Sequence, residues 1–135
     1  PKEEARKKPE SDILTIEFMK SKIRNLLENS EDVKKVNDVD ISIIGTELNL
    51  NISFESSGWT SVHIEVQAVF ENKGNAISLK SHNINASILA KGSVEKKFIP
   101  HLRKISETLK SDIKTKKGKD VTKLEIKSGQ VEVTY

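Results

Sequence analysis

Apolar and polar residues alternate with a period of two along most of the segment from Val39 to Phe70. Successive side chains of a strand point to opposite faces of a sheet, so each alternating row predicts a strand with one buried and one solvated face. Turn-forming residues divide the segment into three rows. The apolar members of the rows are Val39, Ile41 and Ile43; Leu48, Leu50, Ile52 and Phe54; and Val62, Ile64, Val66, Ala68 and Phe70. The alternation predicts a mostly antiparallel, twisted sheet.

A fourth strand and a C-terminal hairpin complete the predicted strands. Ile77 and Leu79 begin the fourth strand, but the apolar residues that follow fall on the other parity, which predicts a bulge or bend near Ser81-His82. Those later residues are Ile84, Ala86 and Ile88. The hairpin has a turn at Ser128-Gly129 between two apolar rows. Its rows are Leu124 and Ile126, then Val131, Val133 and Tyr135.

Residues near the start of the chain predict a first helix. Ser11 or Asp12 can cap it, and an apolar stripe follows at helical spacing. The stripe consists of Ile13, Ile16, Met19, Ile23, Leu26 and Leu27. Leu14 and Phe18 lie on the opposite side of that helix, so we expect them to cover a ligand groove or a partner surface. An alternative places Leu14, Ile16 and Phe18 on one face of a short strand.

A second helix is predicted to open at Gly92-Ser93, with one long apolar stripe. The stripe is Val94, Phe98, Leu102, Ile105, Leu109 and Ile113. Pro100 has no N–H to donate, so the helix either kinks there or begins near it. We expect Leu102 and Ile105 to be central core residues.

These elements give an α+β fold: helix, four-stranded mostly antiparallel sheet, helix and C-terminal hairpin, with both helices packed on the apolar sheet face. Residues 11–135 form one predicted domain. Residues 1–10 alternate lysine and glutamate between two prolines and predict a flexible charged tail or linker. Such a stretch is also typical of the segment between a membrane anchor and its soluble domain.

The residue types that support catalysis are sparse. The chain has no cysteine, so it has no disulfide, thiolate nucleophile or zinc–thiolate site. His63, His82 and His101 lack neighbours at metal-ligand spacing, and no nucleophile elbow or glycine-rich phosphate loop is present. The sequence therefore predicts a non-enzymatic protein without a metal or cofactor.

Two features predict a binding surface. Five lysines occur within ten residues, with Asp112 as the only acid between the first and the last: Lys110, Lys114, Lys116, Lys117 and Lys119. They are expected to contact an anionic membrane surface, or else to form a solvated helix face. Trp59 follows a turn at a strand start, where it is either an anchoring indole for a ligand, partner or membrane, or part of the core edge. We do not expect nucleic acid to be a partner, because no aromatic residue lies among the lysines to stack on bases.

The C-terminal half combines an irregular strand, Gly92, an amphipathic helix and a hairpin, and in this it resembles tubular lipid-binding (TULIP-like) proteins of the bacterial envelope. The hairpin residues that carry the resemblance are Val121, Leu124, Ile126, Gly129, Val131 and Val133. The resemblance covers Val66 to Tyr135. It implies a curved sheet wrapped around a long helix, with acyl chains held in the groove between them.

Two further similarities point to other partners. Gly92-Ser93 with Phe98, Ile105 and Leu109 is similar to the kinase-associated C-terminal domain, which implies binding of anionic phospholipids. The opening helix, the second helix and the run Val33, Val36 and Val39 are similar to ring-building modules of secretion and sporulation machines, which implies protein–protein assembly.

We therefore expect a non-catalytic binding domain for a lipid or other hydrophobic ligand, or for an anionic membrane surface. The alternative is a protein–protein interaction or assembly module, capable of forming a homo-oligomer, in a membrane-anchored or cell-envelope complex. The two readings differ in the core: a lipid carrier needs an apolar groove, whereas an assembly module is expected to be fully packed.

Overall fold

The strands form two antiparallel sheets, one of four strands and one of three. The computed structural model describes residues 10–56 and 62–135, so the predictions for Trp59 and for residues 1–9 lie outside the described part. In chain order the elements are β1 (Ser11–Leu14), α1 (Ile16–Glu28), β2 (Val33–Ile44), β3 (Glu47–Ser56), β4 (His63–Lys73), β5 (Ala76–Asn85), α2 (Ile88–Lys97), α3 (Ile99–Arg103), α4 (Ile105–Lys117), β6 (Lys123–Lys127) and β7 (Gln130–Thr134). The predicted α+β class is confirmed.

The four-stranded sheet has the order β2-β3-β4-β5, and its apolar rows face inward as the alternation predicts. Leu50 is paired with Ala68, and both are buried. The predicted irregularity lies in β5, where Val69 pairs with Ser81 while Phe70 pairs with Leu79. The skipped residue is Lys80. This bulge brings Ile77 and Ile84 to the same buried face although their positions differ in parity.

The end of the fourth strand differs from the prediction. β5 stops at Asn85, and Ile88 begins α2 instead of continuing the apolar row. Ser87 is the N-cap, and its hydroxyl accepts a hydrogen bond from the Ala90 N–H. The predicted helix start at Gly92-Ser93 is therefore wrong, since both residues lie inside α2.

The second helical region is divided into three helices. Pro100 lies in the first turn of α3, where its missing N–H has no consequence, so the predicted break at this proline is confirmed. The apolar stripe remains continuous across both breaks. All six of its members are buried: Val94, Phe98, Leu102, Ile105, Leu109 and Ile113.

The three-stranded sheet has the order β1-β7-β6 and was predicted only as a hairpin. Residues 11–14 form β1 rather than the first turn of a helix. Thr15 is the true N-cap of α1, since its hydroxyl accepts from the Phe18 N–H at 3.1 Å. Leu14 points into the core from β1, and Ile13 is exposed there, so Ile13 is not part of the helix stripe. The alternative strand is correct for Leu14 but not for Ile16 or Phe18.

The two sheets meet at the turn between β4 and β5. The Leu124 N–H of β6 donates to the carbonyl of Asn75 at 2.9 Å. On α4, the Ser106 hydroxyl contacts the Ile77 backbone of β5. A single cluster of buried apolar residues therefore extends from the larger sheet through the helices to β6 and β7.

Candidate functional site

A cavity of about 470 Å³ lies at the end of the larger sheet, under α2. Five parts of the chain surround it: the end of α1, the start of β2, the end of β3, the start of β4 and the whole length of α2. The lining residues are Leu27, Ser30, Asp32, Val33, Phe54, Ser56, Val62, Ile64, Ser87, Leu89, Ala90, Ser93, Val94, Lys97 and Phe98.

The inner wall of the cavity is apolar. Leu27, Phe54 and Ile64 are buried and present the inward face of α1, β3 and β4 to the space. Phe98 closes the wall from the helical side, with its ring edge-on to Phe54 at a centroid separation of 6.4 Å. Edge-to-face aromatic pairs are favourable, so this contact fixes one side of the cavity.

Six of the fifteen lining residues are polar: four serines and one pair of opposite charges. The Lys97 ammonium pairs with the Asp32 carboxylate at 3.2 Å, and both side chains are substantially exposed. Of the serines, Ser87 caps α2, and the Ser30 hydroxyl accepts from the Asp32 N–H at 3.4 Å. The cavity therefore has an inner wall of buried apolar side chains and, at its exposed rim, one cation and one anion.

Ser56 at the end of β3 and Val62 just before β4 both line the same cavity. The Ser56 N–H donates to the Val62 carbonyl at 2.9 Å, so these two lining residues are held together. The sequence places Trp59 three residues from each of them. The role predicted for Trp59 in ligand or partner contact falls on a residue outside the described part of the chain.

Leu14 and Phe18 lie together, but not at this cavity. They line a smaller groove of about 240 Å³ with Ile13, Lys116 and Tyr135, among others. Leu14 is only 8% exposed and belongs to the core cluster. Phe18 is half-buried, and the Lys116 ammonium lies 5.1 Å from its ring centroid, within the range of a cation–π contact.

The predicted lysine cluster is partly neutralised by the fold. Lys114 pairs with Asp120 at 2.9 Å and Lys117 with Asp12 at 3.7 Å. Lys119 pairs with Glu10, and the hydrogen bond from this ammonium to the carboxylate raises the lysine pKa above its ordinary value. Lys110 has no ion pair with any of the residues that the structure describes. Two of the three acids, Glu10 and Asp12, come from the β1 end of the chain. A count of charges within residues 110–119 therefore does not include these two partners.

None of the three histidines is among the residues that line the cavity. His63 is 3.4 Å from Glu65, and His82 is 3.9 Å from Glu95. Within residues 10–56 and 62–135, no group of histidine and carboxylate side chains is arranged to hold a metal ion. Over the same residues, no helix is long and apolar enough to cross a membrane.

Sequence reasoning missed the cavity because its lining comes from segments far apart in the chain. One local signal was available. Ser87 is a capping residue followed directly by two aliphatic residues, a pattern typical of a helix start. Ile88 also fits the apolar row of the predicted fourth strand, so the local pattern is compatible with both elements.

Comparison with known proteins finds no matching family model, no similar curated protein and no similar solved structure.

Proposed function

We propose that this domain is a non-catalytic carrier that binds one hydrophobic ligand, an acyl chain or a similar amphiphile, in the cavity under α2. The observation that carries the proposal is a cavity of about 470 Å³ whose inner wall is formed by buried apolar side chains. Small-molecule sites in proteins typically measure about 300–1,000 Å³ and have mostly apolar walls.

The distribution of polar groups favours an amphiphile over a polar metabolite. Polar ligands require several convergent hydrogen-bonding groups, because a buried polar atom without a partner costs about 1–3 kcal/mol. Here the interior offers Leu27, Phe54 and Phe98, while Lys97 and Asp32 stand at the rim. A ligand with an apolar body and a polar end at the rim matches this arrangement.

The resemblance of Val66 to Tyr135 to TULIP-like proteins supports the same proposal, since it implies acyl chains held between a helix and a curved sheet. The cavity likewise lies between a helix, α2, and the larger sheet, although α2 has ten residues and is not the long helix that the resemblance implies. The assembly-module alternative requires a fully packed core, and the cavity counts against it.

Binding to an anionic surface through the lysine cluster is less well supported. Carboxylates already pair with Lys114, Lys117 and Lys119, so fewer charges are available for lipid headgroups than the sequence indicates. A Lys114→Glu, Lys116→Glu and Lys117→Glu variant tests that reading directly, since it should then lose binding to anionic vesicles.

Native mass spectrometry of the purified protein tests the carrier proposal, with oleate as the added probe. We expect one oleate per chain, together with a saturable change in the fluorescence of Trp59, the single tryptophan. Ser93→Phe places a ring in the cavity and should abolish the adduct. Ser111→Phe makes the same change on the exposed face of α4 and should leave it intact. A wild-type protein that carries no oleate would overturn the proposal.

A further inference from the structure

Two adjacent aliphatic side chains project into solvent from the first turn of α2. Ile88 and Leu89 are each 89% exposed. Among the described residues, the next most exposed large apolar side chain is Ile44, at 70% and alone at the turn between β2 and β3. An isolated exposed aliphatic residue is ordinary, but an adjacent pair on one helix turn is a candidate contact surface.

This pair lies at the mouth of the cavity. Leu89 is part of the lining although it is almost fully exposed, and its neighbours Ser87 and Ala90 also line the space. The exposed apolar surface is therefore continuous with the apolar interior. Whatever covers Ile88 and Leu89 also covers the entrance.

The spacing of the pair does not suit a protein partner. A helix that docks on another protein presents apolar residues at i, i+3, i+4 and i+7. Three and four residues after Ile88 stand Lys91 and Gly92, and Ser93 follows four residues after Leu89. A specific interface also buries about 800 Å² on each partner, to which two side chains contribute only a small part. Insertion into a lipid bilayer requires neither a stripe of apolar residues along the helix nor a surface of complementary shape.

The charges on α2 favour an anionic bilayer. The helix carries three lysines, Lys91, Lys96 and Lys97, and one acid, Glu95. Lys97 is paired with Asp32, so Lys91 and Lys96 are the two lysines of α2 without a carboxylate partner among the described residues. All three lysines are exposed, and Lys91 is one turn from Ile88 on the same side of the helix. Cations beside an inserted apolar tip are attracted to anionic headgroups.

We propose that the first turn of α2 inserts Ile88 and Leu89 into the surface of an anionic phospholipid bilayer, so that the cavity mouth opens onto the lipid. The role of this contact rests on the proposed function, because docking there would let an amphiphile pass between the membrane and the cavity. The bilayer contact itself can be measured without any cavity ligand.

Vesicle co-sedimentation tests the contact, with phosphatidylcholine vesicles with and without phosphatidylglycerol. The wild-type protein should bind the mixed vesicles. An Ile88→Ser and Leu89→Ser double variant should bind at least about tenfold more weakly, since burial of one aliphatic side chain alone favours partition by about tenfold or more. Ile44→Ser is the matched control, because it removes an exposed isoleucine at the opposite end of β2 from the cavity. It should bind as the wild type does.

Four results separate the possible explanations. If the double variant binds vesicles as the wild type does, or if the wild type does not bind, the inference is overturned. If sedimentation velocity shows a dimer for the wild type and for Ile44→Ser but not for the double variant, the pair is an interface between copies of the chain. That result also overturns the inference. If vesicle binding falls while oleate binding in solution persists, both proposals are supported. If vesicle binding falls in a protein that never binds oleate, the bilayer contact stands and the carrier proposal fails.

Discussion

The side chain of Asn72 forms two hydrogen bonds with the backbone of Ile126, in place of those that a neighbouring strand would form there. Its amide nitrogen donates to the Ile126 carbonyl at 3.0 Å, and its amide oxygen accepts from the Ile126 N–H at 2.7 Å. Ile126 is paired with Val131 across the hairpin, at a position where its own N–H and carbonyl point away from β7. One side chain of β4 therefore satisfies the free edge of β6 and joins the two sheets.

We expect Asn72→Ala to destabilise the domain by about 2–4 kcal/mol. The change leaves the N–H and the carbonyl of Ile126 without partners, and each unsatisfied buried group costs about 1–3 kcal/mol. Urea denaturation followed by circular dichroism measures the loss. Asn51→Ala removes an exposed asparagine from β3 and should change the unfolding free energy by less than about 0.5 kcal/mol. Equal effects of the two changes would mean that the bridge to Ile126 contributes nothing specific.

Ser106 connects α4 to the edge of β5 in the same manner. Its hydroxyl donates to the Ile77 carbonyl at 2.6 Å and accepts from the Ile77 N–H at 2.8 Å. It is the one buried polar side chain among the residues described. Ser106→Ala should therefore cost about 1–3 kcal/mol, whereas Ser111→Ala on the exposed face of α4 should be neutral or slightly stabilising. Amide hydrogen exchange at Ile77 provides a second measurement, and unchanged protection there would contradict the assignment.

Leu102→Ala should cost about 2–5 kcal/mol, the usual range for truncation of a core leucine. Leu102 is fully buried in α3, between the sheet and the other helices. Leu89→Ala is the matched change at an exposed position and should have almost no effect on the free energy of unfolding. A loss below about 0.5 kcal/mol for Leu102→Ala would place this residue outside the cooperative core.

Two truncations distinguish the contribution of the charged tail to stability from that of β1. Removal of residues 1–9 should leave the melting temperature unchanged, because that segment has no apolar residue beyond Ala5. Removal of residues 1–14 deletes β1, which pairs with β7 and buries Leu14. The second truncation should lower the melting temperature by about 4 °C or more. Differential scanning calorimetry measures both, and a large loss from the first would show that the tail packs on the domain.

The predictable part of the fold is the part with a strong local period. The rows from Leu48 to Phe54 and from Ile64 to Phe70 alternate without interruption, and both form strands with the expected face buried. The stripe from Val94 to Ile113 was likewise found, since helical spacing survives the breaks near Phe98 and Lys104.

Two elements could not be located because their stabilising contacts are distant. β1 has four residues and buries only Leu14, so its pairing with β7, about 120 residues away, leaves no periodic signal. The start of α2 was missed because Ile88 and Leu89 are apolar but exposed, which contradicts the rule that apolar residues mark the core. The cavity shares this limitation, since Leu27, Phe54 and Phe98 meet only in three dimensions.

The pairing of β1 with β7 also decides how the domain responds to tension. Ser11 pairs with Thr134, and the Tyr135 N–H donates to the Glu10 carbonyl, so both ends of the described chain leave from the same end of this sheet. A force applied through Glu10 and Tyr135 acts across the strands and loads their hydrogen bonds one after another. It does not shear all of them at once. β1, the edge strand of the smaller sheet, should therefore detach first. The core between α4 and the larger sheet bears the force only after β1 has separated from β7.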